Sequence, residues 1–390
     1  MIYGEMNTLG YVFLGILLSK VVGHLLRRHS IGEVAGYLIV GIILGVTVGR
    51  DEYIHDLSLV SSIAAIFVVF YAGVTSSLED VVENSASALA VSLTSVAVTV
   101  ITVLAIVMYL GYSFETALLV ALLLSNTATE MASMLVERLP LHVKSMLVSA
   151  SFIDDLFMVL ATSAYYMWRL TGHVNEALVS TVVALAATLV VFTLITRQRL
   201  ILNPVFNYMS RNMAYFTDAS LIMLSLLLLL AFESGMSYII AAYLAGILVS
   251  GGLGMKDPML RYRARVSDFT NILGSVIDGL FTPLFMLYVG LHIRISAVDP
   301  VLLAALLAAG IATKMLSYFA FLKARGEDTS VGVTAGFSMT GRGVLELTLL
   351  VKGFELGLVS VEVFNTIVAV ALSTIVISVI AVSVMNRLLD

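Results

Sequence analysis

The apolar residues of this chain come in blocks of about 18 to 25, separated by short polar stretches, and that spacing limits what it can fold into. A helix needs about 20 apolar residues to cross ~30 Å of hydrocarbon. The composition agrees: of 390 residues, 60% are hydrophobic and 12% charged, where a soluble domain carries about 25% charged residues. A membrane β-barrel would show segments of about 10 residues with alternating polarity, and the blocks here do not alternate. The expected class is an all-α polytopic membrane protein. The chain has no cysteine, which excludes a disulfide framework and a thiolate metal site. The first apolar block lacks a basic leader and a cleavage site, so it is expected to be a permanent helix.

Thirteen spans are expected, near 7–27, 32–49, 57–77, 86–110, 115–137, 144–168, 174–196, 215–233, 236–253, 269–291, 298–322, 330–351 and 360–386. Lys and Arg accumulate on the cytoplasmic side. With the N-terminus outside, 14 of the 21 basic residues fall inside, among them Arg27, Arg28, Arg263 and Arg325, and only Arg50, Arg169, Arg294 and Lys352 fall outside. The C-terminus is then expected in the cytoplasm. Spans one to six and eight to thirteen make two sets of six entering from opposite sides, the geometry of an inverted repeat. Spans five and twelve then correspond, and both are interrupted: "SNTATEMAS" at 125–133 and "GFSMTGRGVLEL" at 336–347. Paired interruptions point to a transport site at the midplane.

Ionisable side chains inside the bilayer cost ~2.5–3.5 kcal/mol on insertion scales and need partners or a cavity. "ASFIDDLFMVL" at 150–160 places Asp154 and Asp155 in span six. Neighbouring helical residues diverge by about 100°, so one can face a cavity while the other meets another helix. Lys314 lies mid-span in span eleven, and an aspartate is its natural partner. Glu130, Arg342 and Glu346 sit at the two interruptions, where Arg342 is expected to pair with Glu130 or Glu346, since broken helices need polar partners. Asn126, Thr127 and Thr129 offer neutral oxygens suited to a hard cation. Gly32, Gly36, Gly41 and Gly45 include two GxxxG spacings, which serve close helix packing or a dimer contact. No histidine pair stands at metal-ligand spacing, and no cofactor is expected.

Taken in order, these segments resemble the monovalent cation/proton antiporter superfamily, and within it the electrogenic sodium/proton antiporters with a double aspartate. "IGEVAGYLIVGIILG" (31–45), "FVVFYAGVTSSLED" (67–80), "ASFIDDLFMVL", "ESGMSYIIAAYLAGILVSGG" (233–252), "FTPLFMLYVGLHI" (281–293) and "MTGRGVLEL" (339–347) carry the resemblance over nearly the whole chain. It implies an antiporter fold with two crossed discontinuous helices. It further implies scaffold and dimerisation helices in 1–80 and 214–295, a linker helix in 171–213, and an ion-transporting core in 84–170 and 296–390 that moves like an elevator. Asp155 would bind sodium and protons alternately, with Asp154 paired to Lys314. The chain departs from the family pattern at Asn126-Thr127, at Glu130, and at Val344, where an acidic residue is common and Glu346 stands two positions on.

The expected activity is secondary active exchange of Na+ or Li+ for protons in the plasma membrane, by a homodimer in contact with lipid. No enzyme activity and no nucleic-acid partner are expected. A desolvated carboxylate is disfavoured in its charged form, so Asp155 can hold a proton or a sodium ion but not both. Three rivals stand beside this reading. A potassium/proton antiporter would use the same fold. A cation channel would conduct without coupling. An intramembrane aspartyl protease needs two converging carboxylates, which adjacent helical residues do not supply.

Overall fold

The computed structural model describes residues 2–28, 33–47, 51–75, 85–173, 211–234, 238–250 and 261–389, with Val179, Ala186, Tyr208 and Met209. The expected seventh span, 174–196, lies outside these residues. The described chain is all-helical. In order come α1 (Ile2–Arg28), α2 (Glu33–Thr47), α3 (Asp51–Thr75), α4 (Ser85–Tyr109), α5 (Phe114–Leu124), α6 (Thr129–Leu135) and α7 (Leu141–Thr171). After them come α8 (Met213–Ser234), α9 (Tyr238–Ser250), α10 (Arg261–Val276) and α11 (Thr282–His292). The last four are α12 (Pro300–Ala324), α13 (Thr329–Ser338), α14 (Val344–Glu355) and α15 (Val361–Leu389). Seven continuous described helices are long and apolar enough to cross a membrane, and four shorter apolar helices accompany them.

Both expected interruptions are present. Span five is α5 and α6, separated at 125–128; span twelve is α13 and α14, separated at 339–343. The residues at the gaps explain them. Ser, Asn and Thr compete with the backbone for hydrogen bonds and favour caps over helix interiors, and the Ser125 hydroxyl donates to Leu122 O at 2.7 Å. Gly341 and Gly343 are poor helix formers. Full-length helices stop differently: α4 and α12 are followed by Gly111 and Gly326 at φ 92° and 89°, the left-handed turn that favours glycine.

The chain forms two compact units. The first comprises Met1–Ser61, Asn84–Met158 and Thr282–Asp390, and the second Ser62–Glu83 and Val159–Phe281. In the second unit α8 packs on α9 and α10, and Gly73 of α3 meets Gly246 of α9 backbone to backbone. In the first, α2 packs between α1 and α11, while α12 contacts α4, α13 and α15. The expected glycine contacts are resolved here as packing within the chain. A Cβ on Gly36 would meet Gly23 of α1 at 2.8 Å, one on Gly41 would meet Leu287 O of α11 at 2.8 Å, and Gly45 faces Leu291 at 3.2 Å. Gly32 lies outside the described residues.

This packing gives a stability prediction. A Cβ at Gly290 would fall 2.6 Å from the Gly41 backbone, whereas one at Gly310 would meet only the Arg342 Nη2 atom at 3.5 Å. Gly290→Ala is expected to destabilise by about 1–3 kcal/mol through overpacking, with Gly310→Ala close to wild type. Thermal unfolding in detergent checks this, and a Gly290→Ala variant as stable as wild type would contradict it.

Candidate functional site

The two breaks meet inside the first unit. The Ala128 N–H donates to Gly341 O at 3.0 Å, and the Thr127 hydroxyl donates to Met339 O at 3.0 Å. Arg342, 1% exposed, reaches across to the end of α5. Its Nη2 donates to Leu124 O at 2.6 Å and its Nη1 to Asn126 O. A helix interrupted in hydrocarbon leaves its last carbonyls without donors, and the guanidinium supplies both hydrogen bonds and a positive charge at the negative end of the α5 dipole. The opposite arrangement closes α14. Glu346 stands in its first turn, and one oxygen accepts the Gly343 N–H at 2.8 Å, placing negative charge at the positive end.

Sequence reasoning looked for a carboxylate partner for Arg342, either Glu130 or Glu346. The hydrogen bonds of its guanidinium go instead to backbone carbonyls. The Glu130 side chain lies outside the described residues.

The two aspartates diverge as their helical spacing requires. Asp154, fully buried, accepts from Lys314 Nζ at 2.7 Å on one oxygen and from the Ser92 hydroxyl at 2.6 Å on the other. Lys314 is itself fully buried, and α12 is fastened to α4 nearby by a Thr99–Thr313 hydroxyl contact of 3.0 Å. Asp155, 4% exposed, turns to the first break. Asn126 Nδ2 donates to its Oδ1 at 2.8 Å, and the Thr129 hydroxyl donates to its Oδ2 at 2.8 Å. The same Thr129 hydroxyl lies 3.0 Å from Ser151 Oγ.

Of the residues expected to hold an ion, Asn126 and Thr129 are therefore assembled around Asp155, while Thr127 is committed to Met339 O. Ser92 and Ser151 were not singled out from sequence. They are hydroxyls in serine- and threonine-bearing helices, and nothing in their local sequence sets them apart. Among the described residues no group of three or more His, Asp or Glu is arranged to hold a resident metal.

Asp154, Asp155, Glu346, Lys314 and Arg342 are all buried. Ionised together they carry one excess negative charge, which one proton or one monovalent cation cancels. Groups buried this deeply are costly to leave uncompensated.

A helical membrane bundle with two broken helices crossing at buried charges is the architecture of a secondary transporter. Residues 12–387 match the family described as sodium/hydrogen exchanger, transmembrane, and the chain belongs to that family: it is a multi-pass membrane protein of the transporter class, not of an enzyme class. Over 334 residues it is 25% identical to "Probable Na(+)/H(+) antiporter 3" of Methanocaldococcus jannaschii, covering 84% of this chain and 83% of that one. The fold is similar to that of the sodium proton antiporter MjNhaP1 of the same organism, solved at pH 8, with TM-score 0.75 and 17% identity over 97% of this chain and 96% of that one. A second MjNhaP1 structure, an electron-microscopy map, matches with TM-score 0.71 and 17% identity, covering 96% of this chain and 94% of that one.

The Asp154–Lys314 pair generates a stability test. Removing one partner leaves an unpaired buried charge and is expected to cost about 3–5 kcal/mol, whereas replacing both with neutral residues of similar size costs far less. Asp154→Asn, Lys314→Met and the double variant, compared by thermal unfolding, measure the coupling. Losses that simply add would contradict the pairing.

Proposed function

We propose that this protein is a secondary active Na+/H+ antiporter of the double-aspartate type, in which Asp155 carries sodium and a proton in alternation. The observation that carries this reading is the position of Asp155. It is a buried carboxylate at the crossing of two broken helices, accepting hydrogen bonds from Asn126 and Thr129 at the first break. Lithium, a smaller hard cation, is expected to be accepted as well.

Competition at Asp155 alone exchanges one ion for one proton and moves no net charge. The Asp154–Lys314 pair supplies a second proton: sodium binding draws Asp154 from Lys314, and the ammonium, left without its counter-charge, releases its proton to water on the open side of the membrane. Exchange is then electrogenic. Asn126, Thr127, Thr129 and Asp154 are assigned as ion-site residues, and Glu130, Arg342 and Glu346 as compensation at the breaks.

The moving core is assigned to 84–170 and 296–390, and the scaffold to 1–80 and 214–295. In support, Ser92, Asn126, Thr129, Asp154, Asp155, Lys314, Arg342 and Glu346 all come from the two core stretches. A rigid core carrying the whole site is what an elevator step requires. The protein is placed in the plasma membrane as a homodimer, with its N-terminus outside and its C-terminus in the cytoplasm.

The test uses proton-loaded vesicles with a pH dye inside. Addition of sodium outside is expected to raise the internal pH with wild-type protein and to do nothing with a monodisperse Asp155→Asn variant, since an amide neither carries a proton nor neutralises sodium. Wild-type exchange by that variant would remove Asp155 from the mechanism. A response to potassium but not sodium would assign the potassium reading, and ion flux without proton movement would assign a channel. Lys314→Gln is expected to keep weakened exchange but to lose its response to a valinomycin-imposed potential. Equal voltage dependence would make Lys314 a structural counter-ion.

A further inference from the structure

Two buried oxygens at the crossing of the breaks have no hydrogen-bond partner. Glu346 is 3% exposed; its Oε2 accepts the Gly343 N–H, but its Oε1 has no hydrogen-bond partner. Asn126 is fully buried, and its Oδ1 likewise has none. Both stand at the crossing of the breaks: Arg342, next to the Gly343 N–H that Glu346 accepts, donates to the Asn126 carbonyl.

Their orientations follow from Asp155. An ionised carboxylate only accepts hydrogen bonds, so Asn126 must present Nδ2 to Asp155, and its Oδ1 necessarily points elsewhere. The nearby cations make no hydrogen bond to these two oxygens, and Arg342 Nε is also without a partner. Arg342 gives both Nη groups to Leu124 O and Asn126 O, and Lys314 gives its ammonium to Asp154. Buried acceptors without donors are rare in native structures and call for an explanation. One of these two is on a carboxylate, and the other is on the amide that donates to Asp155. Oxygen donors of this kind suit a hard cation.

We propose that Glu346 is a direct ligand of the transported cation, its Oε1 and the Asn126 Oδ1 completing with Asp155 an oxygen site that spans both breaks. The assignment rests on the antiport reading above and extends it. Asn126 belongs to the first break and Glu346 to the start of α14, so a bound ion links the two interrupted helices directly. Glu346 thereby does two jobs with its two oxygens: Oε2 closes the α14 N-terminus, and Oε1 faces the ion. The competing explanation is a proton fixed on Glu346 Oε1 and donated to Asn126 Oδ1, which would satisfy both atoms without an ion.

Glu346→Gln separates these. Its amide carbonyl still accepts the Gly343 N–H, and its NH2 group stands where a protonated acid would donate. Equilibrium binding of radioactive sodium to purified protein at one fixed pH is the readout. Glu346→Gln is expected to weaken sodium binding by about tenfold or more, the scale of losing one buried charged contact. Binding within about twofold of wild type would overturn the assignment and leave Glu346 as a protonated cap. If wild type exchanges sodium for protons while Glu346→Gln binds normally, only this assignment falls. If wild type neither binds nor exchanges sodium, the antiport reading falls and this assignment with it.

Should the variant not fold, thallium anomalous scattering from wild-type crystals decides. A peak in coordination contact with Glu346, Asn126 and Asp155 supports the site. A peak on Asp155 and Thr129 away from Glu346 refutes it.

Discussion

Everything at the centre of this protein depends on how two interrupted helices satisfy each other inside the bundle. Hydrocarbon offers no water to the carbonyls and N–H groups that a break exposes, so an interruption survives only if protein groups replace the lost helical bonds. Here Arg342 reaches from the second break to the last carbonyls of α5, and the Ala128–Gly341 hydrogen bond ties the two crossing segments together. Glu346 answers for the N–H end of α14. The compensation is charged, and it sits beside Asp155 and the Asp154–Lys314 pair. The structural requirement for a break and the ionic chemistry of the site are one network.

On the proposed reading, that network couples the crossing to the bound ion. Asn126 stands at its hub: its backbone carbonyl accepts from Arg342, and its amide donates to Asp155. A change of charge at Asp155 therefore acts on a residue that also closes α5. On the other side of α7, Ser92 and Lys314 hold Asp154 from α4 and α12. The two aspartates, adjacent in sequence, connect the break on one face with the surrounding bundle on the other. Rigid packing elsewhere supports this. Gly336 of α13 lies so close to α12 that a Cβ would meet Met315 O at 2.6 Å.

The spans among the described residues, the paired breaks and the burial of Asp154, Asp155, Lys314, Arg342 and Glu346 were legible in the sequence, because each is a matter of length, periodicity or the cost of placing charge in hydrocarbon. The divergence of Asp154 and Asp155 follows from 100° per residue; a mid-span Lys314 called for an aspartate, and the family resemblance named Asp154. The finer contacts were not legible. Arg342 was read as needing a carboxylate, but its strongest claimants are backbone carbonyls at 124 and 126, and a sequence does not reveal which carbonyls a break leaves bare. Ser92 was missed because one hydroxyl among many in "SASALAVSLTS" carries no mark of facing Asp154. Thr127 was grouped with Thr129, although the break turns one toward Met339 and the other toward Asp155. The GxxxG glycines could serve a dimer or an internal contact, and only the approach of α2 to α1 and α11 distinguishes the two.

The central claim is that a proton and a sodium ion exclude each other at Asp155. Proton release on sodium binding tests it most directly, using purified protein in weak buffer with no vesicle, gradient or turnover. Addition of sodium is predicted to release protons in a saturable way, with choline giving none and Asp155→Asn abolishing the signal. Sodium that binds without displacing protons, or a release that persists in Asp155→Asn, would contradict the account.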